Sequence, residues 1–117
     1  HEAFSSTGQP VVVPGDMGRG SWIMAGPYSE QNQAFGSACH GAGRALSRTA
    51  ARKKINAEAK ELELRKKGVI VQAATKNILS EEAPEAYKDV DTVIENTVKA
   101  NLARPVVRLE PMAVIKG

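Results

Sequence analysis

The sequence predicts an α+β fold of short mixed or antiparallel strands with two helices, one of them long. Three observations carry this. Pro10 to Val13 and Ser21 to Ala25 are short apolar runs, closed by Pro14-Gly15 and Gly26-Pro27, as strands bounded by turns are. From about Gly43 to Lys67 there is no proline, Lys66 and Lys67 occupy the last turn, and Gly68 stands at the C-cap position. The resulting order, β-β-α-β-α-β, is a thin inventory for an independent core, so the segment is expected to be part of a larger single-domain fold.

The elements follow in order. Residues 1–9 are small and polar and read as irregular. Pro14 to Gly20 holds three glycines and an Asp, a turn-rich loop between the first two strands. Residues 28–37 form a polar linker. Within the long helix Arg44, Arg48 and Arg52 lie four apart on one face, and His40 lies four before Arg44. Val69 to Ala74 is a third strand. Ser80 to Ala86 carries Glu81, Glu82 and Glu85, and Pro84 breaks any helix there or begins a new one. Asp89 or Asp91 caps a helix from about Val90 to Ala103, with Val90, Val93, Ile94, Thr97 and Val98 on one side. Arg104 to Ile115 is extended, and Pro105 and Pro111 make it an edge or bent strand.

The 117 residues make room for one domain. A hydrophobic share of 42% allows an ordinary core, and 25% charged residues argue against wholesale disorder. The net charge of +3 is compatible with a polyanionic partner without demanding one. Cys39 is the one cysteine, so no intrachain disulfide forms and a reducing, cytoplasmic setting is expected. No apolar run approaches the roughly 20 residues of a membrane helix. The start at His1-Glu2-Ala3-Phe4 is expected to be that of a processed product or of a piece of a longer protein.

The stretch Phe35-Gly36-Ser37-Ala38-Cys39-His40-Gly41-Ala42-Gly43-Arg44 organises the rest. Gly41 and Gly43 allow a sharp turn and a close ligand. If the helix opens at Gly43, its first amides and the positive end of its dipole make a phosphate site with His40 at the edge. The alternative is a Gly-rich helix start with a surface histidine. The arginine row is either a phosphate-binding face or a solvated one. Cys39 and His40 are adjacent, which suits neither chelation nor a nucleophile–base pair, and Cys39 reads as a small buried residue. With no CxxC, no HExxH and no P-loop, metal bound by this chain alone is not expected.

These residues resemble the RtcB family of GTP-dependent RNA ligases. FGSACHGAGRALSRTAAR is similar to the family's histidine signature and PVVVPGDMGRGSW to its preceding loop. EEAPEAYKDVDTVIENTVKANLARPVVRLEPMAVIKG is similar to its C-terminal part, and the match runs from about Gln9 to Gly117. The resemblance implies that His40 becomes covalently guanylylated, that Pro14, Gly15, Asp16, Met17 and Ser21 help to hold the guanine nucleotide, and that Gly41, Ala42 and Gly43 lie along it. It implies that Lys116 contacts guanine. Position 16 is Asp where relatives often carry Ser, which leaves the side-chain contact there open. Arg44 and Arg48 become candidates for RNA phosphates. GTP and Mn(II) are the implied cofactors, the metal ligands being expected in an upstream region. RNA (tRNA halves or broken ends), the rest of the ligase chain and, in part of the family, archease are the implied partners, with no membrane role. The activity implied is joining of RNA 3′-phosphate or 2′,3′-cyclic phosphate ends to 5′-hydroxyl ends in tRNA splicing or RNA repair. Two other readings stand beside it: a non-catalytic nucleotide- or RNA-binding module, and a structural subdomain whose glycines serve turns only.

Overall fold

The computed structural model describes residues 2–26 and 34–117; Tyr28 and most of the expected linker lie outside them. Strand β1 (Pro10–Asp16) runs on past the expected stop at Pro14-Gly15, and β2 (Gly20–Ala25) pairs with it antiparallel. The turn between them is therefore only Met17 to Arg19. A short 3-10 turn, Glu2–Phe4, stands in the stretch expected to be irregular.

The long helix is not one helix. Helix α1 spans Arg48–Lys54 and α2 spans Ala57–Lys66. Two polar side chains inside the proline-free run set the limits. Ser47 caps α1 by accepting from the Ala50 amide at 3.1 Å, and Asn56 caps α2 by accepting from the Ala59 amide at 3.0 Å. Ile55 between them is extended, and its carbonyl accepts from the Ser80 hydroxyl at 2.9 Å. Residues 43–46 are not helical. The Ala45 and Leu46 amides donate to the Ala86 carbonyl at 2.8 and 3.1 Å, and the Lys88 amide donates to the Gly43 carbonyl at 2.9 Å. Gly43 has φ +74, which its lack of a β-carbon permits.

Strand β3 (Ile70–Ala73) is followed by a helix that the sequence pattern did not predict, α3 (Lys76–Glu81), and Pro84 opens the 3-10 turn Pro84–Ala86. Helix α4 (Val90–Lys99) is capped by Asp89 and ends four residues short of the expected Ala103. It buries Val90, Ile94 and Thr97, while Val98 stays exposed. The expected last strand is two strands, β4 (Arg104–Leu109) and β5 (Ala113–Lys116), in different sheets. Pro111 lies between them, and Pro105 lies in β4, an edge strand where its missing N–H leaves no ladder bond open. The α+β class holds, with four α-helices among the described residues in place of two.

The first sheet has the order β1-β2-β4 and is antiparallel; the second pairs β3 with β5 in parallel. Each sheet carries its own core. Val13, Met24, Ala42, Val90, Ile94 and Ala103 pack α4 against the first. Leu64, Val69, Val71, Leu79 and Val114 join α2 and α3 to the second. Met17, at the tip of the β1–β2 turn, is 5% exposed and belongs to the second core. The turn thus reaches from one sheet into the other.

Gly15 lies where this turn meets α4. A β-carbon there would collide with the Gly20 carbonyl oxygen and stand 2.9 Å from Val90 Cγ1. Gly15→Ala in the full-length protein is expected to cost about 1–3 kcal/mol through overpacking. Thermal unfolding checks this, and an unchanged Tm would show that the close approach is not needed.

Candidate functional site

The two sheets leave a cleft of about 320 Å³ between them. Its floor is the end of β1 and the turn, Pro14 to Met17, with Ser21 of β2. One wall is Glu82 and Tyr87; the other runs from Pro111 through β5 to Lys116. Five residues expected from the sequence to hold a nucleotide, Pro14, Gly15, Asp16, Met17 and Ser21, thus share a cleft with Lys116, about a hundred residues further along.

Asp16 is committed to its own turn. Its side chain is fully buried, accepts from the Gly18 and Arg19 amides at 2.9 Å each, and pairs with Arg19 Nε at 2.7 Å. The Arg19 guanidinium goes on to the carbonyls of Pro84 and Tyr87. The Asp carboxylate therefore shapes the floor and ties it to the wall. The backbone of Asp16 and the Ser21 hydroxyl, which accepts from the Gly15 amide at 3.4 Å, are the polar groups left at that end.

The histidine loop docks on the edge of β1. The Ala42 amide donates to the Pro14 carbonyl at 3.0 Å, and Ala42 is 5% exposed in the first core. On the other side of His40, Cys39 is half-buried with Sγ 3.2 Å from Thr97 Oγ1. His40 is exposed between these two anchors. It does not line the cleft; it sits two residues from Ala42, which is bonded to a cleft residue. Because α1 begins at Arg48 and has seven residues, no helix N-terminus stands behind His40, and the expected phosphate site of that kind is absent.

The arginine row is also divided. Arg44 lies in the extended segment, paired across to Tyr87, so it does not share a helix face with Arg48 and Arg52. Its guanidinium sits 4.8 Å from the Tyr87 ring centroid and donates to the Leu46 carbonyl, Glu82 and the Tyr87 oxygen. Arg48 and Arg52 both pair with Glu81 of α3, at 3.6 and 2.8 Å. The Arg48 side chain nonetheless remains 69% exposed. With Lys116 and Glu82 it lines a second, more polar cleft of about 490 Å³. Lys116 and Glu82 line both clefts and so form the partition between them.

Sequence reasoning did not assign Glu82 or Tyr87 to the site. Their signal was present in the EEAPEAY stretch, which was read for its helix-breaking proline and as part of the family resemblance, with no site role given to either residue. Burial pushes the Glu82 carboxyl up, but the Tyr87 hydroxyl at 2.6 Å, the Lys116 ammonium and Arg44 outweigh it and hold its pKa below the usual 4.5. Burial, and the bond to Glu82, push the Tyr87 hydroxyl up. Among the described residues no group of three or more His, Cys, Asp or Glu side chains gathers as metal ligands would. The donor set here therefore does not fit Mn(II), which the resemblance assigns to an upstream region. No described helix is long and apolar enough to cross a membrane.

Comparison with known proteins gives a consistent result. The sequence matches the family described as tRNA-splicing ligase RtcB over residues 1–117. It is 47% identical to the tRNA-splicing ligase RtcB of Methanopyrus kandleri over 97% of this chain and 12% of that protein. It is 44% identical to that of Thermococcus kodakarensis over 98% of this chain and 24% of that protein, and 46% identical to that of Pyrobaculum aerophilum over 97% and 24%. The chain therefore spans between about an eighth and a quarter of the length of these relatives.

The Glu82 cluster has a signature in pH. A carboxyl whose folded pKa lies below 4.5 contributes stability that is whole above that value and is lost as pH falls through the folded pKa. Tyr87→Phe deletes one of the donors that lower it, so the Glu82 carboxyl is expected to titrate at higher pH than in the unchanged protein. Carboxyl-carbon NMR shifts followed through acid pH measure this. An unmoved titration would mean that the hydroxyl does not hold the charge.

Proposed function

The chain belongs to the RtcB family of tRNA-splicing ligases, and from that premise we propose that it supplies the nucleophilic histidine and the guanine-nucleotide cleft of an RNA ligase. The substrates are an RNA 3′-phosphate, freed where necessary by hydrolysis of a 2′,3′-cyclic phosphate, and an RNA 5′-hydroxyl, with GTP as co-substrate. The observation that carries the reading is the cleft that gathers Pro14 to Met17, Ser21 and Lys116 beside the histidine loop. The family and the one free cysteine are in keeping with a cytoplasmic protein that meets tRNA halves or broken RNA, with archease as a further partner.

The chemistry suits the residues. A neutral imidazole is a nucleophile near pH 7. An imidazole nitrogen of His40 attacks the α-phosphorus of GTP; the N–P bond forms, the bond to pyrophosphate breaks, and the imidazolium proton leaves to solvent. The exposure of His40 between two anchored neighbours leaves its ring reachable while its backbone is fixed. The guanylyl group then passes to the RNA 3′-phosphate and frees the histidine. The 5′-hydroxyl attacks that activated phosphorus, the new phosphodiester forms, and GMP departs. Passing the guanylyl group through the histidine replaces one difficult transfer from GTP to RNA with two easier ones, ahead of the joining step. Gly41, Ala42 and Gly43 lie along the nucleotide, and Lys116 donates to the guanine O6 and N7 acceptors. Metal bound upstream would neutralise phosphate charge.

RNA phosphates would meet the second cleft, where Arg48 is the freer cation; Arg44 holds the histidine loop to the wall. Guanidinium forks suit phosphate oxygens.

Two outcomes are expected of the full-length protein with GTP and Mn(II). His40 carries an acid-labile, base-stable GMP phosphoramidate, seen by mass spectrometry, and His40→Ala accepts no label. Label on a lysine would falsify the assignment. Arg48→Ala leaves guanylylation of His40 largely intact but slows transfer to RNA 3′-phosphate by roughly a hundredfold, as loss of one preorganised donor does. Single-turnover assays separate the steps. An effect confined to the first step would assign Arg48 to GTP, and none on either would make it a solvated charge.

A further inference from the structure

Glu82 stands where three parts of the site meet. Its Oε1 accepts from Arg44 Nη1 at 3.3 Å. Its Oε2 accepts from the Tyr87 hydroxyl at 2.6 Å and from Lys116 Nζ at 3.5 Å. Arg44 and Tyr87 belong to packed backbone segments tied to each other by an isolated bridge. Lys116 is the exposed member: its side chain is 43% exposed against 16% for Glu82. A lysine head on a four-carbon stem carries considerable rotamer freedom and needs a fixed partner to point one way. Asp16, the other carboxylate lining the first cleft, cannot be that partner, because it is fully buried and engaged by its own turn.

We propose that Glu82 is the positioning residue that aims the Lys116 ammonium at the base of the bound nucleotide, and so sets the preference for a 6-oxo over a 6-amino purine. This rests on reading the cleft as a guanine-nucleotide site. The ammonium has three donors. One held by Glu82 leaves two for the base, and only a 6-oxo purine offers acceptors at both O6 and N7; a 6-amino purine sets a donor against the ammonium. The carboxylate can serve because its charge is secured from behind by Tyr87 and Arg44. The arrangement also gives the second carboxylate of the cleft a role: it faces the lysine on the partition between the two clefts.

The test is guanylylation of the full-length protein with GTP, 7-deaza-GTP and ATP, in Glu82→Ala, Glu82→Gln, Lys116→Ala and the two double variants. Glu82→Ala is expected to raise the half-saturating GTP concentration about tenfold and to narrow the GTP-over-ATP preference by a similar factor, the worth of one charge-assisted bond. Glu82→Gln, which can still accept from Tyr87, falls between. 7-deaza-GTP, lacking N7, loses less from Glu82→Ala than GTP does. In the Lys116→Ala background Glu82→Ala adds no more than about twofold, because the two act as a unit. A Glu82→Ala protein with the parental preference, or full additivity with Lys116→Ala, overturns the proposal and leaves the cleft reading standing. If Lys116→Ala itself leaves the preference unchanged, the proposal and the role of Lys116 fall together. Should Glu82→Ala fail to fold, Glu82→Gln carries the same comparisons, since it keeps shape and loses charge.

Discussion

The burial of Met17 is the contact on which the rest of the site depends. A three-residue turn between two strands ordinarily projects into solvent. Here its apolar tip is inserted among Leu64, Val69, Leu79 and Val114, so the first sheet is fastened to the second core. Two further ties keep the turn from rocking. Asp16 closes it from within, and Arg19 reaches across to the carbonyls of Pro84 and Tyr87. The cleft is the space that remains once the turn is seated. Its floor and its far wall therefore have a common origin, and Met17, which packs the core with one part of its side chain, lines the cleft as well.

Local pattern made the strands legible. Val11 to Val13 and Trp22 to Met24 are the kind of residues that fill a half-buried sheet, and Pro14 did not end β1 because an edge strand has no ladder bond to lose at that position. The Val90 helix was legible for a similar reason: Asp89 caps it and its apolar residues recur at helical spacing. The residues of the cleft floor, and Lys116 with them, were legible through resemblance, since nothing in spacing alone brings position 16 to position 116. The division of the long helix was not. Ser47 and Asn56 are the caps, but a polar residue within a proline-free helical pattern is ordinarily read as exposed surface, and only the docking of Ile55 and Ala86 decides otherwise. Helix α3 escaped because six residues are too few to show a period.

The arginines illustrate how pairing overrides periodicity. In sequence they form an uninterrupted basic row with no acid among them. In space Glu81 and Glu82, which follow one another at the end of α3, divide the row: one takes Arg48 and Arg52, the other takes Arg44. The partners lie some thirty to forty residues away, beyond the reach of any helical repeat. What remains positive is smaller and more sharply placed than the row suggested. Two guanidinium groups share one carboxylate at the second cleft, and this leaves a net cation on the side where Arg48 is exposed. A basic surface of this kind attracts a polyanion less broadly than a row would and orients it more narrowly.

The parallel pairing of β5 with β3 makes the chemistry of Lys116 a question of parity. Strand residues alternate between faces, so Lys116 shares a side with Val114, which is buried in the second core. The hydrophobic requirement at one position thus settles the direction of the charge two positions later. Loss or gain of a single residue between Pro111 and Lys116 would exchange faces, offering Ile115 to the partition and turning the ammonium elsewhere, while a change by two would restore it. The lysine is in this sense addressed by the valine, and natural variation in this strand should keep an even spacing from the buried branched side chain to the cation.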